Sequence, residues 1–410
     1  LPCRTYDIVP VVAALHPADI YSVTAPTNFR WFITGGADGI IRKWDTFASL
    51  NGKTPLTQAQ RQGQVDSVTK AGVLLTSWPL HSPSPSPSSS SGSSGKRSPL
   101  SPVYSLACHP EAVWALAGAG SGDICLYTLR SDEGLLHATL PAGTPSSAMG
   151  EEVREGHTAP VSVLTLGSDA TQCFSGSWDK RILQWDLSTG KVAQTYVGAT
   201  SQVAVIQKQP TSTDDLMGSP EPAGRGGGSS PLLMNATVDG QVMLWDQRMA
   251  HFAGKFTPPD RVPPWLLSAT WGADGQYIYV GRRNGTVEEW DVRGDRLART
   301  LRLPSQSGPV HHVHAMPSGR HLLCGSMDNL RLWDLQADHE DGEGGGFMGV
   351  GSIGGGRLPP FRVLPGHHGG VIAGIIRDEK AKYVVSISGT RGWEGQGNRG
   401  CLLYDVRTVL

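Results

Sequence analysis

The sequence has no surplus of charge of either sign: 35 lysines and arginines face 36 aspartates and glutamates, a formal net charge of −1. Such a chain exerts no general pull on DNA, RNA or an acidic membrane, so its composition does not point to nucleic-acid binding. It has no CxxC pair. The six cysteines (Cys3, Cys108, Cys125, Cys173, Cys324 and Cys401) are scattered, most of them inside apolar strand-like runs. They read as small buried hydrophobes in a reducing compartment. No apolar run approaches the roughly 18 residues of a membrane span, and no signal-peptide pattern opens the chain. The chain begins at Leu1 rather than Met, which reads as a fragment whose N-terminal tail is missing. What is present in quantity is turn chemistry: 52 glycines and 29 prolines in 410 residues, against 39% hydrophobic residues. Many turns between short apolar runs indicate an all-β fold with a sizeable core.

One template recurs. "GGADGIIRKWD" (35–45), "SGSWDKRILQWD" (175–186), "ATVDGQVMLWD" (236–246) and "GRRNGTVEEWD" (281–291) each place Trp-Asp six residues after an Asp or Asn. "CGSMDNLRLWD" (324–334) fits with one residue deleted, and "GSGDICLYT" (120–128) and "GNRGCLLYD" (397–405) put Tyr at the Trp position. In each copy a run such as "QCFSGS" supplies one strand, Asp-Lys or Asp-Gly the turn, and "RILQWD" the next strand. The Trp stiffens that third strand, and residues such as Ile182 and Leu187 are expected to pack between neighbours. Five Trp-Asp copies and two degenerate ones are the signature of a seven-bladed WD-repeat β-propeller, a single domain over residues 1–410.

Closure of the ring is also readable. "YDIVPVVAA" (6–14) has no blade of its own and little chain follows Tyr404, so the N-terminal segment is expected to be the outer strand of blade 7. The Trp/Tyr positions are 83, 58, 60, 45, 43 and 71 residues apart. A plain blade needs about 40–45, so the long intervals hold insertions. These are the Ser/Gly/Pro-rich stretches 81–102, 211–231 and 338–357, which cannot bury apolar area and read as flexible loops. Ser82, Ser84, Ser86, Ser98 and Ser101 each precede Pro, the pattern of proline-directed phosphorylation as well as of a tolerated linker. The outer strand of blade 1 is expected near "GKTPLTQ" (52–58). That leaves "VDSVTKAGVLLTSW" (65–78) as an extra strand or a filler at the junction of blades 1 and 2.

Candidate sites divide into structural and functional readings. His157, Ser175 and Asp179 are the residue types of a hydrolase triad, but no oxyanion-hole element or nucleophile elbow accompanies them. With Trp185 they form the structural hydrogen-bonded tetrad of a WD blade. "HHVH" (311–314) suggests a metal, yet strand alternation puts His312 and His314 on one face and His311 on the other, with no fourth ligand nearby. "GAGSG" (118–122) leads into a strand and so lacks phosphate-cradle geometry. No cofactor, metal or small-molecule substrate is implied. The acidic stretches 150–156 and 338–343 are either solvated loop charge or a surface for a basic partner. Trp178, in the turn before Asp179, Trp265 and Trp393 lie in loop-like sequence. Each either packs on a neighbouring loop or contacts a partner, since interface hot spots favour Trp.

Several non-repeating stretches carry a resemblance: "YDIVP" (6–10), "RWFITGGADGIIRKWD" (30–45), "VDSVTKAGVLLTSW" (65–78), "LSPVYSLACHPEAVWALAG" (100–118), "RSDEG" (130–134) and "SGSWDKRILQWDLSTGKV" (175–192). Together they resemble the WD-repeat, TATA-box-binding-protein-interacting Spt-family subunit of the fungal SAGA transcriptional coactivator. The resemblance is strongest over roughly residues 6–192. It implies a nuclear, non-enzymatic propeller that docks on other coactivator subunits and regulates the TATA-box-binding protein at RNA polymerase II promoters, without direct sequence-specific DNA binding. Two other classes stay open on sequence alone. One is a generic assembly scaffold or ubiquitin-ligase substrate receptor. The other is an enzyme using the central channel, a poor fit to inner strands as apolar as "VSVLTLG".

Overall fold

The computed structural model of the chain describes residues 3–81, 100–143, 155–210, 232–247, 251–258, 263–337, 359–391 and 397–409. Trp393 and most of each of the three insertions lie outside the described residues, as does the acidic stretch 338–343. The described strands form seven sheets, six antiparallel with four strands each and one of five that includes a single parallel pairing. They are the blades of a ring, spanning residues 20–79, 105–140, 161–196, 203–256, 266–302, 312–364 and 372–409. Within each blade the chain steps outward strand by strand. The first strand of every blade lines a central channel of about 450 Å³.

The alternation of a sheet explains the core. Blade 3 consists of Val161–Leu166, Gln172–Ser177, Ile182–Asp186 and Lys191–Tyr196. Its Val161, Leu164, Cys173, Leu183 and Trp185 pack against Leu116, Ile124 and Leu140 of blade 2. Its other face presents Phe174, Ile182 and Tyr196 to Val203, Met243 and Trp245 of blade 4. Each blade is thus buried on both faces by its neighbours, and side chains of one sheet fill gaps in the next. The blades approach closely where the second strand ends. A Cβ on Gly176 would lie 2.6 Å from Val203 Cγ1, and one on Gly325 would lie 2.7 Å from Ile372 Cγ2. No side chain fits between the sheets there. Five of the six cysteines are buried and none is disulfide-bonded. Burial pushes the thiols of Cys108, Cys125, Cys173 and Cys324 up to about 12, so they behave as hydrophobes.

The ring closes through its N-terminal strand. Thr5–Leu15 pairs antiparallel with Gly400–Val409 from Thr5↔Val409 to Leu15↔Gly400, with a register shift between Pro10 and Val12. Pro10 is tolerated inside this strand because it sits at that irregularity. A further strand, Lys70–Ala71, then runs parallel to Val12 and Ala13, making blade 7 the five-stranded sheet.

The expected outer strand of blade 1 is displaced. It is Val73–Pro79, paired with Ile40–Asp45, and not the stretch 52–58. Gly52 and Pro55 interrupt that earlier stretch, and Pro55 makes only an isolated bridge to Lys70. Between the third and fourth strands the chain instead forms two short helices, Thr46–Asn51 and Gln58–Gly63. The first is capped by Asp45, whose carboxylate accepts from the Ala48 N–H at 2.7 Å. The second has a Thr57/Gln60 capping box. The segment 65–78 is therefore part of blade 1 itself, and it also supplies the strand that ties blade 1 to blade 7. At the first insertion His81 bridges to Leu100. Ser101 is buried, with its hydroxyl accepting from the Gly120 N–H at 2.8 Å, so it is a structural residue rather than an exposed acceptor for phosphate.

Candidate functional site

The four residues His157, Ser175, Asp179 and Trp185 meet between the second and third strands of blade 3. His157 Nε2 lies 2.7 Å from Ser175 Oγ, the Trp185 indole N–H donates to the same Oγ at 2.7 Å, and His157 Nδ1 lies 3.1 Å from Asp179 Oδ2. Asp179 also accepts from the backbone N–H groups of Thr158 and Arg181. Burial alone would raise its carboxyl, but these bonds, led by that from His157, outweigh it and hold the group well below the carboxylate range. Asp179 only accepts, so His157 Nδ1 donates to it. Ser175 then donates to Nε2 and accepts from the indole. Ser175 and His157 are 0% exposed, so no substrate reaches the hydroxyl. The cluster locks the loop before blade 3 onto its third strand.

Two further clusters of this kind were not recognised from sequence. In blade 1 His16 Nε2 lies 2.8 Å from Thr34 Oγ1, which accepts from the Trp44 indole at 2.9 Å. In blade 7 His367 Nε2 lies 2.6 Å from Ser386 Oγ, with Tyr404 and Asn398 in the Trp and Asp places. A signal existed in blade 1, where His16 precedes Thr34 by 18 residues, as His157 precedes Ser175. Blades 4 and 5 solve the same problem differently. Trp245 donates to Asn235 Oδ1 at 2.6 Å, and Trp290 to Glu288 Oε2 at 3.0 Å. Glu288 is neutralised by the buried Arg282 at 2.7 Å.

The surface suited to a partner is the face where inner strands begin and second strands end. Trp178 lies there: its N–H donates to Pro160 O at 3.1 Å, just before the inner strand of blade 3. Its ring meets Tyr104 edge-on at 5.3 Å, and Tyr104 stacks on Tyr21 at 5.7 Å. The Arg391 guanidinium lies 5.8 Å from both tyrosine rings and donates to Tyr104 O. Blades 1, 2, 3 and 7 thus contribute one aromatic–cationic cluster at the channel mouth. Trp265, just before the inner strand of blade 5, is on the same face. It is 45% exposed, with Arg283 stacked 3.8 Å above its ring. Tyr21, Tyr104 and Arg391 carried no sequence signal, because they join the site only when the ring closes.

The channel wall is less apolar than the inner-strand sequences suggest. His311, His312 and His314 all line it. His312 and His314 share one face, their rings stacked at 6.4 Å, while His311, the residue before the strand, is 6% exposed. Burial lowers His311 and His312 to about 4 and holds His314 well below the usual imidazole range, so all three are neutral at pH 7. Among the described residues no cluster of three His, Cys, Asp or Glu side chains is placed to hold a metal. The described channel lining contains no carboxylate, lysine or cysteine, and the hydroxyls of Ser22, Ser105, Ser162 and Thr165 along it donate to backbone carbonyls.

The chain matches the family model described as the SPT8 beta propeller over residues 6–217 and 229–407. The SAGA complex subunit Spt8 of Schizosaccharomyces pombe is 34% identical to it, over 98% of this chain and 80% of the relative. SAGA complex subunit SPT8 of Saccharomyces cerevisiae is 31% identical over 98% and 73%. A guanine nucleotide-binding protein subunit beta of Solanum tuberosum is 25% identical over 57% and 61%.

Proposed function

This chain belongs to the SPT8 β-propeller family, and from that footing we propose that it is a non-enzymatic subunit of a SAGA-type transcriptional coactivator. In that role it acts in the nucleus, binds the TATA-box-binding protein and regulates its delivery to, or retention from, RNA polymerase II promoters. The observation that carries the reading is the likeness, over almost the whole chain, to two proteins named as SAGA complex subunits. The near-zero net charge supports recruitment through protein rather than DNA. The partner is taken on the face that carries Trp178, Tyr104 and Trp265, where large rings are partly exposed beside arginines.

Affinity purification of the full-length protein from nuclear extract, followed by mass spectrometry, tests the assignment. Coactivator subunits and the TATA-box-binding protein are expected together, and the absence of both overturns it. Trp178→Ala and Trp265→Ala are expected to weaken capture of the TATA-box-binding protein about tenfold or more while leaving the melting temperature near that of the parent. Unchanged capture by both variants moves the contact to another face. Tight, salt-sensitive DNA binding by the isolated propeller contradicts indirect recruitment.

A further inference from the structure

On the opposite face, where second strands begin and third strands end, blades 1 and 2 enclose an open cleft of about 420 Å³ lined by Asn28, Arg30, Trp31, Arg130 and Glu133. Its floor is set by Lys43, which is 0% exposed. The Lys43 ammonium donates to Leu129 O at 2.8 Å and to Glu133 Oε1 at 2.7 Å, and lies 3.6 Å from the centre of the Trp31 ring. Those three contacts use its three protons and fix both Trp31 and Glu133. Arg30 lies over the ring as well, at 5.0 Å. Among the described residues Glu133 is the only carboxylate lining the cleft, and Lys43 already neutralises it. Neither Arg30 nor Arg130 has an ion-pair partner among the described residues. Two guanidinium groups without an ion-pair partner among the described residues therefore line one concavity, Arg30 over the Trp31 ring and Arg130 exposed at the end of a blade 2 strand.

We propose that this cleft binds the phosphate of a phosphoserine- or phosphothreonine-bearing segment of a partner protein. A phosphomonoester carries about −1.5 to −2 charges at neutral pH, which matches two arginines, whereas a single carboxylate leaves one unmatched. Guanidinium forks suit its several acceptor oxygens. The cleft is open and has five lining residues, too few walls to enclose a nucleoside base, so the phosphate arrives on a peptide. Such a contact makes attachment of the propeller dependent on phosphorylation of its neighbour. It lies on the face opposite Trp178, and its test does not depend on the TATA-box-binding protein.

The test uses the full chain and an array of short peptides with a central phosphoserine in varied flanks, beside unphosphorylated and glutamate-substituted twins. Affinities of the best sequences are then measured by fluorescence polarisation. Phosphorylated peptides are expected to be selected, with removal of the phosphate weakening the best of them about tenfold or more. Arg30→Gln and Arg130→Gln are each expected to weaken it about tenfold with unchanged melting, Arg130→Lys by less, and the distant exposed Arg296→Gln not at all. The proposal is overturned if no phosphopeptide binds below about 1 mM, or if the twins bind equally. It is also overturned if inorganic phosphate binds as tightly as the best peptide, or if the folded Arg30 and Arg130 variants keep full affinity.

Discussion

Replacing Ser175 by Ala removes one oxygen from the blade 3 cluster and nothing else. That oxygen accepts the Trp185 indole N–H and is bonded to His157 Nε2, both at 2.7 Å. Both partners are enclosed, with Trp185 1% and His157 0% exposed, so water cannot replace the hydroxyl. Each orphaned buried group costs about 1–3 kcal/mol. The variant is therefore expected to lose about 2–6 kcal/mol, with about 4 kcal/mol the central figure for the two groups. Unfolding entropy of about 2 cal/mol/K per residue makes that a fall of roughly 5 °C in melting temperature for a propeller of this size. Denaturant unfolding and calorimetry measure the change. Ser175→Thr serves as the paired control, because Thr34 does the same work in blade 1. A loss below about 1 kcal/mol for the alanine variant, or an equal loss for the threonine variant, would refute the claim that the hydroxyl bridges His157 and Trp185.

Deletion of residues 1–14 removes the strand that closes blade 7 and the partner of Lys70–Ala71; a sharp drop in melting temperature is expected, and an unchanged melt defeats the closure. Acid should destabilise the ring well above the usual carboxylate range. Burial, reinforced at His16 by Arg42 and only partly opposed by the hydrogen bond to Ala14 O and by Asp38, lowers His16 to about 4, and burial lowers His367 to about 4. The unfolded chain then binds more protons than the folded one between about pH 6.5 and 4, so stability is intact above that window and falls as the pH drops through it. Each histidine contributes about 3 kcal/mol by pH 4, and melts at pH 7 and pH 5 that coincide would contradict the burial. Arg282→Met strands the buried Glu288 carboxylate, at a cost of about 3–5 kcal/mol by equilibrium unfolding. Adding Glu288→Gln should recover part of the loss, and no recovery would show that packing rather than charge is responsible.

The third strands were the most legible part of the sequence, because a buried Trp, a turn Asp and the interval between them recur by geometric necessity. Outer strands have no such constraint. Each pairs along one edge only, so its composition drifts: Leu74 and Leu75 of the blade 1 outer strand are 44% and 46% exposed, and only Trp78 is firmly buried there. The strand was consequently sought too early in the chain. The two helices before it were invisible for a related reason. At six residues each, they are too short to establish a 3.6-residue apolar period.

Sites assembled across blades are harder still to read from sequence, and the two faces of the ring differ in how much they concede. Trp178 and Trp265 stood out because large aromatics in turn-like sequence have no packing role to explain them. The cleft between blades 1 and 2 offered no such cue. Arg30 and Arg130 are each one more charged residue at a strand end, and Lys43 looks like an ordinary solvent-facing lysine of an alternating strand. Only the ring brings Lys43 to Leu129 O and Glu133, 86 and 90 residues away. Burying a lysine is expensive unless its charge is paired, and here the pairing neutralises the one acid that the described residues bring to the cleft. The same contact that makes the buried lysine tolerable leaves the two arginines without an internal counter-charge. That is why "RWFITGG" and "RSDEG", unremarkable as repeat sequence, belong together as a surface.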